Sequence, residues 1–487
     1  MATPGAPKTR WTRAARAPAV ADVTRREQLA AGKEARKRVP RESHAAWEPW
    51  SGRPDPVDLL QEQAKSRVPE LVPIRHGRMT VSPFAFFRGA ALQMAADLAH
   101  TPDSGLSVQT CGDAHLSNFG GFASPERELL FDLNDFDETL PGPWEWDVKR
   151  LAASFAVAGR ARGLSASERR NVLLAVARSY RETMRQFADM GNLQVWYSML
   201  TAETLTRALS ADKAARKKKV QTRAEKAETK AEAKDSLKAF NKLTTIVDGR
   251  LQIVSDPPLI VRALDLLPVN DARDLTAELH ELLRRYRATL SPDRRHLLEG
   301  YRFVDIARKV VGVGSVGTRC WILLLEGRST DQDPLFLQVK EAEASVLERF
   351  VGQSEFDNHG QRVVEGQRLM QSASDIMLGW LHADAGLDGN PRDFYVRQLW
   401  DWKFSADIDT APPALLGAYG EMCAWTLARA HARSGNRVAI AAYLGGGAQF
   451  ERAIAEFAES YADQSERDHA ALLHAIKHER ITAHTGV

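Results

Sequence analysis

Two short segments of this chain carry residue types at the spacing that phosphoryl transfer requires. The first is Thr110 to Asn118, TCGDAHLSN, and the second is Phe131 to Asp137, FDLNDFD. Such transfer uses a carboxylate that accepts the proton of the attacking hydroxyl and a carboxamide five residues later that holds Mg2+. A further carboxylate at a nearby strand end ties the metal to the phosphates. Asp113 and Asn118 have that separation. Ser107 to Cys111 favours a strand and Gly112 breaks it, which puts Asp113 on a loop leaving a strand. The second segment begins as an apolar strand at Glu128 and ends in Asp132, Asp135 and Asp137. Three carboxylates so close repel one another unless a cation or basic group neutralises them. Alone, an Asp and an Asn at this spacing would be a turn signal, and His115 reads more readily as a packed histidine than as a site residue.

A transferase of this kind also needs a nucleotide site, and nothing before Asp113 supplies one. Met79 to His100 has helical spacing after Pro83 and no glycine-rich hairpin. The missing pattern comes later. Val310 to Gly317, VVGVGSVG, leads into the apolar run Cys320 to Leu325, a polar turn, and Pro334 to Lys340, PLFLQVK. A dinucleotide-binding fold would open a helix after such glycines, but a strand-like run follows here. Strand, glycine loop, strand, and strand with a lysine is the order of a kinase nucleotide lobe. Gly312, Gly314, Ser315 and Gly317 then form the loop that lets the backbone approach ATP phosphates, and Lys340 places a charge on them. His359 to Gln371 is expected to be the helix whose glutamate pairs the lysine, with Glu365 as first choice and Glu348 and Glu355 as alternatives. Phe394 to Trp400 reads as a strand leading to the hinge between lobes.

These segments resemble the aminoglycoside and choline kinase branch of the protein-kinase-like fold. That branch has a His-Gly-Asp-x-His loop ending in Asn, then a metal-binding Asp, then an Asp-Leu-Ala motif opening a helix. Here Cys111 stands where the branch has His, and Asp147 to Ala152, DVKRLA, stands where it has Asp-Leu-Ala. The resemblance implies Asp113 as the catalytic base, Asn118 and Asp135 as metal ligands, and Asp147 as a buried orienting group. Asp135 precedes Asp147 by 12 residues, as in that branch, while Asp132 and Asp137 remain rivals for the metal. Both halves together imply a circularly permuted kinase, with the catalytic loops preceding the nucleotide lobe. The whole chain also resembles a bacterial family catalogued as domain of unknown function 2252. Ser82 to Gly89, Cys111 to His115, Asn134 to Thr139, Gly312 to Gly317 and Leu427 to Ala432 carry that likeness.

The expected fold is therefore α+β, two-lobed and protein-kinase-like, with a large, mainly helical lobe. A chain of 487 residues exceeds what one core usually supports. Residues 1–45 are expected to be a basic, disordered tail, since residues 1–41 hold eleven Lys or Arg against three Asp or Glu. Residues 46–151 carry the catalytic and metal loops, 152–300 form a helical region with a charged helix at 211–234, 301–402 form the nucleotide lobe, and 403–487 add helices that complete the larger lobe. Three scattered cysteines exclude a disulfide framework or a zinc site. No run approaches the roughly 20 apolar residues of a membrane span, and the first residues lack a secretory apolar core. A cytoplasmic protein is expected, and a net charge of +3 makes no case for nucleic acid. The expected activity is ATP- and Mg2+-dependent transfer of a γ-phosphate to a hydroxyl, on a small molecule first and a protein second. Two alternatives stand beside it: a noncatalytic nucleotide-binding regulator, and a metal-dependent hydrolase using Asp113, His115, Asp132 and Asp135.

Overall fold

The computed structural model describes residues 23–201, 236–266, 272–327, 333–386, 389–399 and 408–486. The expected charged helix 211–234, residues 1–22 of the basic tail and Trp400 lie outside them. The described residues form a mixed α+β structure in which a helical body packs against a sheet. In the body, β1 (Ser107–Thr110) enters the first loop, β2 (Phe119–Ala123) and β3 (Leu129–Leu133) form a hairpin, and β4 (Leu140–Pro143) follows the second loop. Thr110 pairs with Leu140 and Phe119 with Leu133, both antiparallel. These two pairings clamp both ends of both loops, so residues 111–118 and 134–139 must lie side by side.

Helix Trp144–Ala161 starts directly after β4 and is buried along nearly all its length. Helices Ala166–Asp189, Pro413–Ser434 and Gln449–Lys477 surround it, and the Trp144 ring stacks on Tyr180 with centroids 5.5 Å apart. The expected C-terminal helices are thus present and contribute to one core with the first loops.

Beyond β5 (Leu200–Thr201), the region expected to be helical contains β6 (Thr244–Val247), β7 (Arg250–Ile253) and β8 (Ile260–Arg262). β8 extends a six-stranded antiparallel sheet whose other members are β9 (Arg302–Lys309), β10 (Cys320–Glu326), β11 (Pro334–Ala342), β12 (Gly379–Ala383) and β13 (Arg392–Gln398), in the order β12-β13-β11-β10-β9-β8. Helix Ala272–Ala288 packs on the same sheet, so the sheet unit begins well before the expected residue 301. The continuous apolar run in β10 has a two-sided explanation. Trp321, Leu323 and Leu325 meet Leu279 and Tyr286 on one face, while Ile322 and Leu324 meet Leu243 and Ile253 on the other.

Residues 25–45 correct the expectation of a disordered tail. Arg25–Arg38 is a helix with a Thr24–Glu27 capping box. It buries Gln28, Gly32 and Ala35, a stripe too small and polar to register as hydrophobic periodicity. A Cβ on Gly32 would stand 2.1 Å from the Ala439 carbonyl oxygen, so the helix approaches its neighbour at backbone distance. His44 is fully buried against the Tyr443 hydroxyl at 2.7 Å.

Helix His359–Met370 forms where expected and docks on β13 through Gly360, whose Cβ would stand 2.2 Å from the Phe394 carbonyl oxygen. Gly360→Ala is therefore expected to cost roughly 1–3 kcal/mol by overpacking, read as a lower urea midpoint. An unchanged midpoint would contradict this close docking.

Candidate active site

Loop 111–118 is held by a few specific contacts. Gly112 has φ +76°, and a Cβ there would stand 2.4 Å from the Glu138 carbonyl oxygen, so only glycine fits. Asp147, in the first turn of helix 144–161 and 1 % exposed, accepts from the N–H groups of Cys111 at 2.8 Å and Gly112 at 3.0 Å. His431 Nε2 lies 3.1 Å from the same carboxylate. About one turn along that helix, Arg150 places Nε 2.8 Å and Nη2 2.6 Å from Asp113 Oδ1. Asn118 donates from Nδ2 to the Asp113 carbonyl at 2.8 Å. The Ser117 N–H donates to His115 Nδ1 at 3.2 Å, which assigns the ring proton to Nε2, 3.9 Å from Asp113 Oδ2. Burial, with the nearby charges of Arg150 and Arg88, pushes His115 far below its usual range, so the imidazole is neutral. Burial also raises Asp113 above the usual carboxylate range, against the pull of Arg150 and Arg88.

From the sheet, Lys340 on β11 extends towards the second loop. It is 3 % exposed, and its Nζ lies 2.6 Å from Asp137 Oδ2. The Tyr395 hydroxyl of β13 donates to Asp137 Oδ1 at 2.6 Å, and Ser315 of the glycine loop lies 3.4 Å from Oδ2. Burial alone would depress the lysine, but the charges of Asp135 and Asp137 hold it well above its usual value. For Asp137, Lys340 outweighs burial and keeps the carboxyl low. Asp135 is raised, first by burial and then by the Asp137 charge. Arg362, from helix 359–370, fixes this loop by donating to the carbonyls of Asp137 at 2.8 Å and Thr139 at 2.7 Å.

The turn between β9 and β10 descends onto the body, where a Cβ on Gly314 would stand 3.5 Å from the Arg88 carbonyl oxygen. It closes a cavity of about 140 Å³ lined by Asp113, Asn118, Asp135, Gly312, Gly314 and Lys340, with Ser315 also in its wall. Seven of the expected site residues are thus brought together. Gly317 stands apart, at φ +91° against the Arg67 side chain.

A family model described as an uncharacterized protein conserved in bacteria (DUF2252) matches residues 67–475, a span that includes both loops and the glycine hairpin. The chain belongs to this bacterial family. No curated protein and no solved structure matches it.

Two further expected site residues of this DUF2252 chain lie elsewhere. Asp132 points away from the cavity and is 1 % exposed. Arg429 Nη2 lies 2.6 and 2.8 Å from its two oxygens, and Ser372 donates to it from N–H and hydroxyl. Its oxygens are saturated, which corrects its reading as a metal ligand. Glu365 does not meet Lys340. The buried face of its helix carries Gly360, Val363, Val364 and Gln367, so Glu365 is out of phase and pairs with Arg368 at 3.0 Å. Nor does Glu348 reach the lysine: it accepts from the Ser345 N–H at 3.2 Å and lies 4.0 Å from Arg362. The lysine's partner is Asp137, named only as a metal rival. Arg150, Arg362 and Tyr395 went unread as site residues. Only Arg150 left a signal, three residues after Asp147 on one helix face.

Among the described residues, no group of three or more His, Cys, Asp and Glu is arranged to hold a metal. Asn118 and Asp135 nevertheless suit a cation that takes its other ligands from phosphates. The Asn118 amide nitrogen is already committed to Asp113, leaving Oδ1 as an acceptor, and Asp135 accepts a long bond from the Asp137 N–H at 3.2 Å.

Glu138 accepts from the Val346 N–H at 2.7 Å, and burial raises its carboxyl from 4.5 to about 7. Protons therefore favour the folded state, and this contribution, full below about pH 4.5, is lost as pH rises through 7. Glu138→Gln is expected to gain stability relative to the parent by roughly 1–3 kcal/mol between pH 4.5 and 7.5, measured by urea unfolding at both pH values. A difference that does not change with pH would refute the raised carboxyl.

Proposed function

We propose that this protein is an ATP- and Mg2+-dependent phosphotransferase of circularly permuted, two-lobed kinase-like architecture, passing a γ-phosphate to the hydroxyl of a small molecule. The observation that carries the reading is the Lys340–Asp137 pair at 2.6 Å beneath the glycine loop, between residues 203 positions apart. No local sequence pattern requires that meeting, and it joins the catalytic-loop half to the nucleotide-loop half.

In this reading Asp113 accepts the proton of the attacking hydroxyl through Oδ2, the oxygen not engaged by Arg150. Burial raises its basicity towards what a general base requires. Neutral His115 and Asn118 hold the loop in place around it. Asn118 and Asp135 would hold Mg2+, which when bound neutralises phosphate charge and aligns it for in-line transfer. Lys340 and Arg397 set two further cations in the wall of the same cavity. Arg397 is oriented by Gln338 Oε1 at 3.1 Å and the Asn134 carbonyl at 3.0 Å. The Gly312 to Ser315 turn, closed by the Ser315 N–H donating to the Gly312 carbonyl at 2.9 Å, would bring its backbone close to phosphate oxygens.

The hydrolase alternative loses support because Arg429 and Ser372 occupy Asp132. The noncatalytic alternative draws on Arg150, whose fork on Asp113 weakens it as a base.

Incubation with γ-labelled ATP, Mg2+ and a panel of hydroxyl compounds tests the proposal. Transfer is expected to fall at least about 100-fold in Asp113→Asn with ATP binding retained, and Lys340→Met is expected to weaken both. Label arriving only from the α-phosphate would mean AMP transfer. ATP binding without any transfer would favour the noncatalytic reading, and full turnover in Lys340→Met would sink the phosphotransferase reading.

A further inference from the structure

A second cavity, of about 460 Å³, adjoins the first and shares Arg88, Asp113, Asp135, Gly314 and Ser315 with it. Arg67, Arg75 and Arg88 all stand in its wall, and each has at least one buried donor without a partner. Arg75 is 1 % exposed. Its Nη2 donates to Gln63 Oε1 at 3.2 Å and to the Gly89 carbonyl at 2.9 Å, while Nε and Nη1 are buried without a partner. Arg67 donates from Nη1 to the Val316 carbonyl at 2.5 Å, and its Nε is buried without a partner. The Nε of Arg88 is likewise buried and unpartnered. Among the described residues none of the three makes a salt bridge.

The acids of the same cavity compensate them only in part: Glu343 favours the charge of Arg67, and Asp113 and Asp135 that of Arg88, but burial outweighs both, and most of the acids have cations of their own. Asp113 is held by Arg150, Asp137 by Lys340, Glu341 by Arg319 and Arg392, and Glu62 by Arg349. Glu138 is spent on the Val346 N–H, while among the described residues Glu343 and Asp135 make no ion pair. Burial disfavours the cationic form of Arg75, and the charge of Arg67 adds to that effect. A buried charge left without a partner is destabilising by several kcal/mol. Guanidinium groups that line one cavity without a carboxylate partner match an oxyanion, which accepts from such planar donors in pairs.

We infer that this cavity binds an oxyanion, a phosphate or carboxylate, on Arg67, Arg75 and Arg88, and that, under the phosphotransferase reading on which this rests, the oxyanion belongs to the acceptor. The acceptor is then an anionic hydroxyl compound. Its charged group docks on the arginines while its hydroxyl faces Asp113 in the wall common to both cavities. Arg88 stands at the junction, where a Cβ on Gly312 would lie 3.9 Å from its Nη2, and Arg67 is tied to the far end of the glycine loop. An occupied anion site therefore braces that loop from both ends.

Calorimetry of the full chain with inorganic phosphate, without nucleotide and at matched ionic strength in chloride, tests this. Saturable binding and a raised melting temperature are expected, and malate in place of phosphate separates a phosphate site from a carboxylate site. Arg75→Met is expected to weaken binding at least tenfold while the ligand-free melting temperature holds or rises, because an unpaired buried charge is gone. Arg88→Gln, on a less buried side chain, should weaken binding similarly and carries the test should Arg75→Met not fold. Lys340→Met is expected to keep phosphate binding even where ATP binding is lost. No saturable binding of either anion, or parental affinity in both arginine variants, overturns the site. Competitive displacement of phosphate by ATP overturns its assignment to the acceptor. A chain that binds phosphate at these arginines but never binds ATP keeps the site and refutes the phosphotransferase reading alone.

Discussion

An ammonium group buried at the junction of a sheet and a helical body must find a carboxylate, and here that carboxylate comes from across the junction. Lys340 leaves β11 almost wholly enclosed, and Asp137 meets it at 2.6 Å from a loop of the body. Removing either partner would leave the other as a buried, unpaired charge, which costs more than the pair contributes when made. Tyr395 and Ser315 reach the same carboxylate, so two strands and the glycine loop are all referenced to one residue. The position of the glycine loop over Asp113 and Asp135 follows from that constraint.

The helical body supplies the complementary anchor. One helix, 144–161, presents Asp147 to the backbone of Cys111 and Gly112 and Arg150 to the side chain of Asp113. Because the helix is buried along nearly all its length, its rotation and height are set by packing, and the loop inherits that precision. The carboxylate at its N-terminal turn also lies where the helix dipole favours negative charge. A loop rich in Gly, Asp and Asn, which would otherwise sample many turns, is thereby limited to one geometry.

Charge in this interior serves two ends, and residue type does not separate them. Asp132 and Asp135 are three positions apart on one segment. Arg429 and Ser372 consume the first, whereas the second faces the cavity with its carboxyl raised by burial and by Asp137. The arginines divide in the same way. Arg150 is held by Asp113 and Arg429 by Asp132, while among the described residues Arg67, Arg75 and Arg88 line a cavity wall without a carboxylate partner. In an interior where most polar groups are satisfied, the unspent ones are informative.

Local patterns in the sequence sufficed for many of the elements, though not for helix 25–38 or for β6–β8, which lie in a region that reads as helical. Gly112 after a short strand, the apolar run of β10 between glycines and a polar turn, and the 3.6-residue spacing of the C-terminal helices depend on neighbours in the chain, and the structure has them where expected. The grouping of Asp113, Asn118, Asp135, the glycine loop and Lys340 was also legible, because each motif keeps its spacing within a few residues. The pairings were not. Whether Lys340 meets Glu365 or Asp137 depends on the rotation of helix 359–370 against β13, which Gly360 and its neighbours set by contact. Whether Asp132 or Asp135 faces the cavity depends on where helix 413–434 delivers Arg429. Helix 25–38 escaped notice because its buried stripe is glycine, alanine and glutamine, whose burial pays only when a partner helix lies at backbone distance. The sequence by itself determined which segments form strands, loops and helices and which could bear chemistry, since those depend on neighbouring residues. The tertiary structure decided which charge partners which, because burial and the satisfaction of polar groups are properties of the assembled interior.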